Sequence, residues 1–231
     1  LAKAQYSEDS GKTAANALPK TANFYYLTQD VTLDATWEPA GNTMLCLNGH
    51  SITGKNGVAV ITVGDGVHLT LCDCNRDQKT YRFGKGGGTP WILDASGDYE
   101  VSGGIVAHAK YEYGSGVLVD GTGIFDMYGG TLVGNSGTSA GSGSSNGSNG
   151  GGVYVKGAGS TFNLYAGAIT GNTVSGEDAS YGGGGVYVGE KCSFTMDGGT
   201  ITGNKATATG NISCGHGGGI YSERGVTVEN V

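Results

Sequence analysis

The amino-acid sequence predicts an all-β protein, a right-handed parallel β-helix that forms a three-sided solenoid with an irregular N-terminal cap. Three observations predict this fold. Gly supplies 47 of the 231 residues and Pro only 3, short runs alternate between apolar and polar residues, and a Gly-rich segment recurs along the chain. Alternation with a period of two is typical of strands, and recurrence every 20 to 50 residues or so indicates stacked repeats. Collagen is excluded because Gly has no three-residue period.

Charge and hydropathy exclude several classes of partner. The formal net charge is -7, which argues against nucleic acid and anionic membranes, because both attract clustered Lys and Arg. No apolar stretch approaches the roughly 18 residues that span a bilayer, so no membrane insertion is expected. Because residue 1 is Leu rather than Met, we expect an export signal to lie upstream.

The ends of the chain differ from its middle. Residues 1–23 lack the alternating pattern and include a helix-compatible stretch, residues 12–18. A terminal repeat without a cap exposes apolar side chains and strand edges, so residues 1–23 are predicted to be the cap. Residues 24–231 are predicted to form a single β-helix domain. Because the last repeat stops at Val231 without a polar cap, we expect the natural protein to continue or a partner to cover this end.

The first hundred residues fit the repeat less regularly than the rest. The segment 45–52 (LCLNGHSI) has the spacing of segment 194–201 (FTMDGGTI). The segment 69–71 (LTL) is expected to continue the same column of side chains, and segment 99–105 (YEVSGGI) to supply another coil.

The later repeats are regular. They begin at residues 116, 152, 185 and 219, and the first three read GVLVDGTGIFDMYGGTLVGN, GVYVKGAGSTFNLYAGAITGN and GVYVGEKCSFTMDGGTITGN. Each copy predicts three short strands whose inward residues stack on those of the next copy. The predicted columns are Val117, Val153, Val186 and Ile220; Phe125, Phe162 and Phe194; and Leu132, Ile169 and Ile201.

Two further features recur with each copy. Polar insertions at residues 136–151, 173–183 and 205–218 are predicted to be flexible loops at one corner. Each copy ends in Asn, at Asn135, Asn172 and Asn204. This Asn either adopts a left-handed turn conformation or joins a ladder of stacked side-chain amides.

A family resemblance rests on four segments: 25–33 (YYLTQDVTL), 45–52 (LCLNGHSI), 69–74 (LTLCDC) and the GGxI-x-GN ends of the repeats. Together they resemble the repeat-rich surface proteins of gut Firmicutes. The Gly-Gly-Thr-Ile element is also similar to the GGAI repeat of chlamydial polymorphic outer membrane proteins, which are adhesin-like autotransporters. The resemblance covers the chain from about residue 24 to its end. It implies a parallel β-helix and an extracellular or cell-surface location on a gut bacterium.

A catalytic role is the alternative, because parallel β-helices also host polysaccharide lyases and glycoside hydrolases. A lyase needs carboxylates that hold Ca²⁺ and a Lys or Arg base, and a hydrolase needs converging carboxylates. Acidic and basic residues meet only at Asp73, Asp77, Lys79 and Arg82. We interpret this stretch as a solvated loop, with a catalytic or glycan-binding site as the alternative. No cofactor is predicted, and Ca²⁺ belongs only to the alternative.

The cysteines leave three interpretations open. Cys46, Cys72 and Cys74 lie near His50 and His68 in the predicted stack. They are free thiols, or Cys46 forms a disulfide with Cys72 or with Cys74, or the group holds a metal. A structural zinc site usually has two close ligand pairs, and only one is present, so no metal site is predicted.

Tyrosines suggest a binding surface. Tyr154, Tyr187 and Tyr221 recur at one outward position of the repeat, where exposed rings either stack on sugars or pack across strands. The sequence therefore predicts a non-catalytic surface module, adhesin-like or a stalk, whose partner is an extracellular glycan or a host or microbial surface protein. The alternative is a β-helical polysaccharide lyase or glycoside hydrolase.

Overall fold

A computed structural model shows an all-β protein built mainly from parallel sheets, as the sequence predicts. The structure describes residues 18–55, 57–75, 79–85, 91–108, 114–138, 149–176, 182–208, 217–224 and 226–229. Within these ranges there is no helix, and every strand belongs to one of four sheets. None of the described residues therefore forms a helix that could cross a membrane.

The strands are short, apart from two of ten residues. In chain order they are β1 (Phe24–Tyr26), β2 (Val31–Leu33), β3 (Thr43–Cys46), β4 (Ser51–Gly54), β5 (Ile61–Val63), β6 (His68–Cys72), β7 (Thr80–Lys85), β8 (Trp91–Leu93), β9 (Tyr99–Ser102), β10 (Ile105–His108), β11 (Val117–Val119), β12 (Ile124–Val133), β13 (Ser136–Thr138), β14 (Val153–Val155), β15 (Thr161–Thr170), β16 (Thr173–Gly176), β17 (Val186–Val188), β18 (Ser193–Met196), β19 (Thr200–Thr202), β20 (Lys205–Ala208), β21 (Ile220–Ser222) and β22 (Thr227–Glu229).

Three of the four sheets are parallel. The largest has 11 strands in two rows, which share the long strands β12 and β15. Its first row runs β1-β3-β6-β12-β15-β18-β22, and its second row runs β2-β4-β10-β12-β15-β19. The second sheet runs β5-β11-β14-β17-β21, and the third β13-β16-β20. Strands β8-β7-β9 form a separate antiparallel sheet.

The core contains the side-chain columns that the repeats predict, and it continues into the earlier strands through residues such as Leu45, Leu69 and Leu71. Register pairing confirms all three columns. Ile61 extends the first column by one strand. Burying such a side chain fully is worth about 1.5–3 kcal/mol, so stacking the repeats stabilises the described part of the fold.

The Gly-Gly or Ala-Gly pair of each repeat lies at a bend between the two rows of the largest sheet. Gly130 and Gly167 have φ values of 83° and 102°, which side chains with a Cβ rarely adopt. A Cβ on Gly167 would also lie 2.6 Å from the carbonyl oxygen of Gly130. Gly is therefore required at these positions for both conformation and space.

The Asn residues that end the repeats form a ladder. Asn135 Nδ2 donates to Asn172 Oδ1 at 3.0 Å, and Asn172 Nδ2 donates to Asn204 Oδ1 at 2.9 Å. None of the three has a positive φ; the glycine before each one does. Of the two explanations that the sequence left open, the amide ladder is the one confirmed.

The predicted alignment of segment 45–52 is confirmed at Ile52, which falls in the column of Leu132, Ile169 and Ile201, but it is wrong by two residues at the strand that holds Leu45. Leu45 pairs with Leu71, and Leu71 pairs with Met127. Leu45 therefore corresponds to Met196 of the later repeat and not to Phe194. A slip of two residues keeps every side chain on the same face of a strand, so the alternating pattern alone does not distinguish the two alignments.

Segment 99–102 does not form part of a parallel row, contrary to prediction. It is strand β9, which pairs with β7 in the antiparallel sheet, and only β10 joins the second row. This sheet packs Tyr81, Phe83 and Val101 against Ile105 and Val133. Residues 80–85, predicted to be solvated loop, are therefore a strand held by its own small apolar cluster.

The insertions and the cap are described only in part. The three insertions begin with the paired strands β13, β16 and β20 rather than with loops. Their later residues, 139–148, 177–181 and 209–216, lie outside the described residues, as do residues 1–17 of the predicted cap. Leu18 is buried, and Trp37 Nε1 donates to the Pro19 carbonyl at 2.9 Å, so the end of the cap segment packs against the core.

Candidate functional site: the outward face of the first row

The first row of the largest sheet presents a continuous outward face. Its outward residues alternate with buried ones: Asp126, for example, lies between Phe125 and Met127, which are fully buried. Parallel pairing in register places one outward residue of each strand beside that of the next. We call this surface the first-row face; its members are Phe24, Met44, His68, Thr70, Asp126, Tyr128, Asn163 and Tyr165.

A polar chain lies at the centre of the first-row face. His68 Nε2 and Asp126 Oδ2 are 2.8 Å apart, and Asn163 Nδ2 donates to Asp126 Oδ1 at 2.8 Å. An ionised carboxylate only accepts hydrogen bonds, so Nε2 carries the proton in this contact. Asp126 is almost wholly buried, whereas the His68 side chain is 39% exposed. Of this pair, the His68 imidazole is therefore the group that solvent and a ligand can reach.

Two tyrosines extend the face on the next outward position. The rings of Tyr128 and Tyr165 stack with centroids 4.4 Å apart and planes inclined by 14°. Tyr128 is 50% exposed. Adjacent strands position the pair, because the two tyrosines follow the buried Met127 and Leu164. The result is a flat aromatic platform beside a carboxylate.

A shallow depression of about 340 Å³ lies at the other end of the face. Its lining includes Phe24, Met44, His68 and Thr70. The Phe24 side chain is 53% exposed. The depression is open to solvent and combines an aromatic ring with hydrogen-bonding groups. Sites for small polar ligands commonly have this composition.

Asp73, the first of the predicted catalytic residues, is held by backbone groups. Its Oδ1 accepts from Gly49 N at 2.7 Å, and its Oδ2 accepts from Gly104 N at 2.6 Å. Both carboxylate oxygens therefore join neighbouring turns. This is the geometry of a structural carboxylate.

Lys79 belongs to a second network, centred on Asp30. The Lys79 ammonium, the Ser51 N–H and the Tyr81 hydroxyl all donate to the Asp30 carboxylate. Partial burial acts to raise the pKa of Asp30, but these hydrogen bonds lower it to about 2. The network ties the antiparallel sheet to the second row.

The remaining basic candidate has a different partner. Arg82 pairs with Glu100 on the adjacent strand β9, and Asp77 lies outside the described residues. The structure therefore does not bring Asp73, Lys79 and Arg82 to one point. Each of these three side chains instead forms hydrogen bonds with a different set of partners.

The tyrosine ladder is present, but it is less open than the sequence suggests. Tyr154, Tyr187 and Tyr221 are register partners, and neighbouring ring centroids are 5.2 and 5.4 Å apart. Tyr187 is only 3% exposed, and its hydroxyl donates to Glu223. Its expected exposure is wrong, because rings from both neighbouring strands flank it. Ligand binding by the ladder stays a prediction.

The cysteines form a disulfide between Cys46 and Cys74, with their Cα atoms 6.3 Å apart. Cys72 is a free, half-buried thiol. Burial, together with the nearby Asp73 carboxylate, raises the pKa of the Cys72 thiol. Among the described residues no group of three or more His, Cys, Asp or Glu side chains is placed to hold a metal ion.

Sequence reasoning missed the first-row face. His68 and Asp126 are 58 residues apart in the chain, and the antiparallel sheet inserted between them breaks the repeat period. The signal was the alignment of HLTL (residues 68–71) with IFDM (residues 124–127). That alignment places Thr70 beside Asp126, and His68 on the same outward side two residues before Thr70.

Comparisons with known proteins assign no family. No protein-family model matches the chain, and neither a curated protein nor a solved structure matches it.

Proposed function

We propose that the protein is a non-catalytic, adhesin-like module of the bacterial cell surface whose first-row face binds an extracellular glycan. The observation that carries the proposal is the exposed Tyr128–Tyr165 platform next to the His68–Asp126 pair. Sugar rings have apolar faces that pack on aromatic rings, and a sugar hydroxyl group can hydrogen-bond with the ring nitrogen of His68 that does not face Asp126.

The fold proposed for this module is a right-handed, three-sided parallel β-helix. Its support is that successive repeats pair in parallel in all three parallel sheets, with register shifts only around Tyr128 where β12 meets β15. Crossover connections between parallel strands are right-handed in about 98% of cases. Such a solenoid is stiff along its axis and presents an extended binding surface, which suits a module that projects from a cell.

The spacing of the aromatic residues suits an extended ligand. Phe24 lies on β1 and Tyr128 on β12, with β3 and β6 between them. Three strand spacings of about 4.8 Å separate the two strands by roughly 14 Å. A glycan lying across the strands would contact Phe24 at one end and the tyrosine platform at the other, with His68 and Thr70 between them.

The charge of the face favours a neutral glycan. Asp126 is the central charged group, and the whole chain has a net charge of -7. A largely buried carboxylate repels a ligand anion in a region of low dielectric constant. Uronate-rich polysaccharides are therefore disfavoured relative to neutral ones.

The proposed location is supported by the Cys46–Cys74 disulfide, because disulfides persist mainly in oxidising, extracellular compartments. The resemblance to surface proteins of gut bacteria favours the same location. The non-catalytic role is supported by the separation of Asp73, Lys79 and Arg82, each of which is held by other groups.

The test is retention of the purified chain on an array of neutral and acidic glycans, together with an assay for released reducing or unsaturated ends. We expect retention on neutral glycans without products. The Tyr128→Ala variant should bind about tenfold more weakly, because one lost aromatic contact of roughly 1.4 kcal/mol changes affinity by that factor. Tyr221→Ala, on the second sheet, is the matched control and should bind normally.

Three results would contradict the proposal. Product release would indicate an enzyme. Loss of binding in Tyr221→Ala but not in Tyr128→Ala would move the site to the tyrosine ladder. Absence of retention on every glycan, with binding to a surface protein instead, would indicate a protein ligand.

A further inference from the structure

Three cysteines lie together on the outward side of the first row. Cys46 on β3 and Cys72 on β6 are register partners, and Cys74 follows two residues after Cys72. Cys46 and Cys72 directly follow Leu45 and Leu71, which are buried in the core. Both cysteines therefore project from the outward side of their strands.

Cys46 is within bonding reach of either partner. Its disulfide with Cys74 spans 6.3 Å between Cα atoms, and the Cys74 N–H donates to Cys46 Sγ at 3.2 Å. Register partners on neighbouring strands are about 4.8 Å apart, which also falls within the Cα separation of roughly 4.4–6.8 Å that disulfides span. Parallel strands in register point these side chains the same way, so the Cβ atoms of Cys46 and Cys72 are about as far apart as the two strands. A small approach of the two strand ends would bring the Cβ atoms to the roughly 3.5–4.5 Å that a disulfide needs.

The three cysteine residues differ in exposure. Cys46 is 7% exposed, Cys72 is half-buried, and Cys74 is exposed. A Cys46–Cys72 disulfide would thus involve the two less exposed cysteines and leave the exposed one as a thiol.

We propose that Cys46, Cys72 and Cys74 form a thiol–disulfide exchange site that frees Cys74 for covalent attachment to a disulfide-bearing ligand. The Cys72 thiolate attacks Cys46 Sγ, the Cys46–Cys74 bond breaks, and Cys74 leaves as a thiolate. The proton lost by Cys72 passes to solvent. The Cys74 thiolate then attacks a disulfide of the ligand, forming a mixed disulfide and releasing the other half of the ligand as a thiolate.

The surroundings of Cys72 hold the site in its resting form at neutral pH. Only the thiolate attacks a disulfide, and burial together with Asp73 raises the pKa of Cys72. The exchange is therefore slow at neutral pH and accelerates as the pH rises. This attachment goes beyond glycan binding and does not depend on it.

The experiment uses the full chain with Cys192→Ala and Cys214→Ser, so that only these three cysteines remain. The protein is incubated with oxidised glutathione, trapped by alkylation, and its disulfides are mapped by peptide mass spectrometry. We expect glutathione on Cys74 together with a Cys46–Cys72 disulfide, formed faster at higher pH. Adding Cys72→Ser removes the attacking thiol, keeps the original disulfide, and should abolish the adduct.

A second variant keeps the proposal testable if Cys72→Ser folds poorly. Cys74→Ser should form a Cys46–Cys72 disulfide with oxidised glutathione as the oxidant. The proposal is overturned if glutathione attaches to Cys72 while Cys46–Cys74 stays intact, if no adduct forms, or if folded Cys74→Ser keeps Cys46 and Cys72 reduced.

Discussion

Replacing Phe162 by Ala tests the stacked core directly. The Phe162 ring is fully buried and lies between two others, with centroids 5.1 Å from those of both Phe125 and Phe194. The planes are inclined by only 12° and 21°. Removing the middle ring therefore deletes two ring contacts and leaves a cavity whose walls are fixed by strands paired on both sides.

The expected cost is about 3–5 kcal/mol, the usual range for Phe→Ala where the site does not collapse. Since whole domains are stable by about 5–15 kcal/mol, the loss should be plain in urea unfolding followed by circular dichroism and extrapolated linearly to water. Phe24→Ala is the matched control: that ring is 53% exposed, so the change should be within about 0.5 kcal/mol. A cost below about 1.5 kcal/mol for Phe162→Ala would refute a closely packed column.

Two further substitutions test the polar networks. Asn172→Ala removes the middle of the ladder and leaves the buried Asn135 N–H without its acceptor, so urea unfolding should show a loss of about 1–3 kcal/mol; a smaller loss would mean that the amides are not coupled to the fold. Asp30 has a pKa lowered from 3.8 to about 2, so its stabilisation is present above pH 3.8 or so and is lost as the pH falls towards 2. Because Asp30 is 41% exposed, solvent screening keeps this effect small. In the Asp30→Asn variant the unfolding free energy should therefore depend less on pH between about 2 and 4 than it does in the parent protein. An unchanged pH dependence would contradict this role.

The later repeats could be predicted from sequence because each copy carries the same residue types at the same spacing. Val117, Val153 and Val186 align without ambiguity, since the Gly runs around them also align. The earlier segment lacks these marks. Leu45 and Leu47 alternate just as Phe194 and Met196 do, and a period of two does not fix which of two equivalent positions is occupied.

The candidate site needed information that a sequence pattern does not hold. Strands β7 and β9 have the same alternation as the parallel strands, and only their antiparallel pairing and their packing against Ile105 and Val133 distinguish them. The sequence pattern also does not show whether Cys72 or Cys74 forms the disulfide with Cys46. Both are within reach of Cys46, and the bond depends on where β6 ends and the chain turns.

In the first row, the buried residues determine stability, whereas the outward residues that alternate with them are available for binding. The backbone at Asp126 is fixed by Phe125 and Met127, which are buried in the core, and not by the outward side chains. Tyr128 is half exposed and contacts a ring on the same outward side, so replacing it should change ligand affinity with little change in unfolding free energy. Outward residues of a stacked parallel sheet can therefore vary without loss of the fold, and for this reason we place binding on this face rather than at the buried columns.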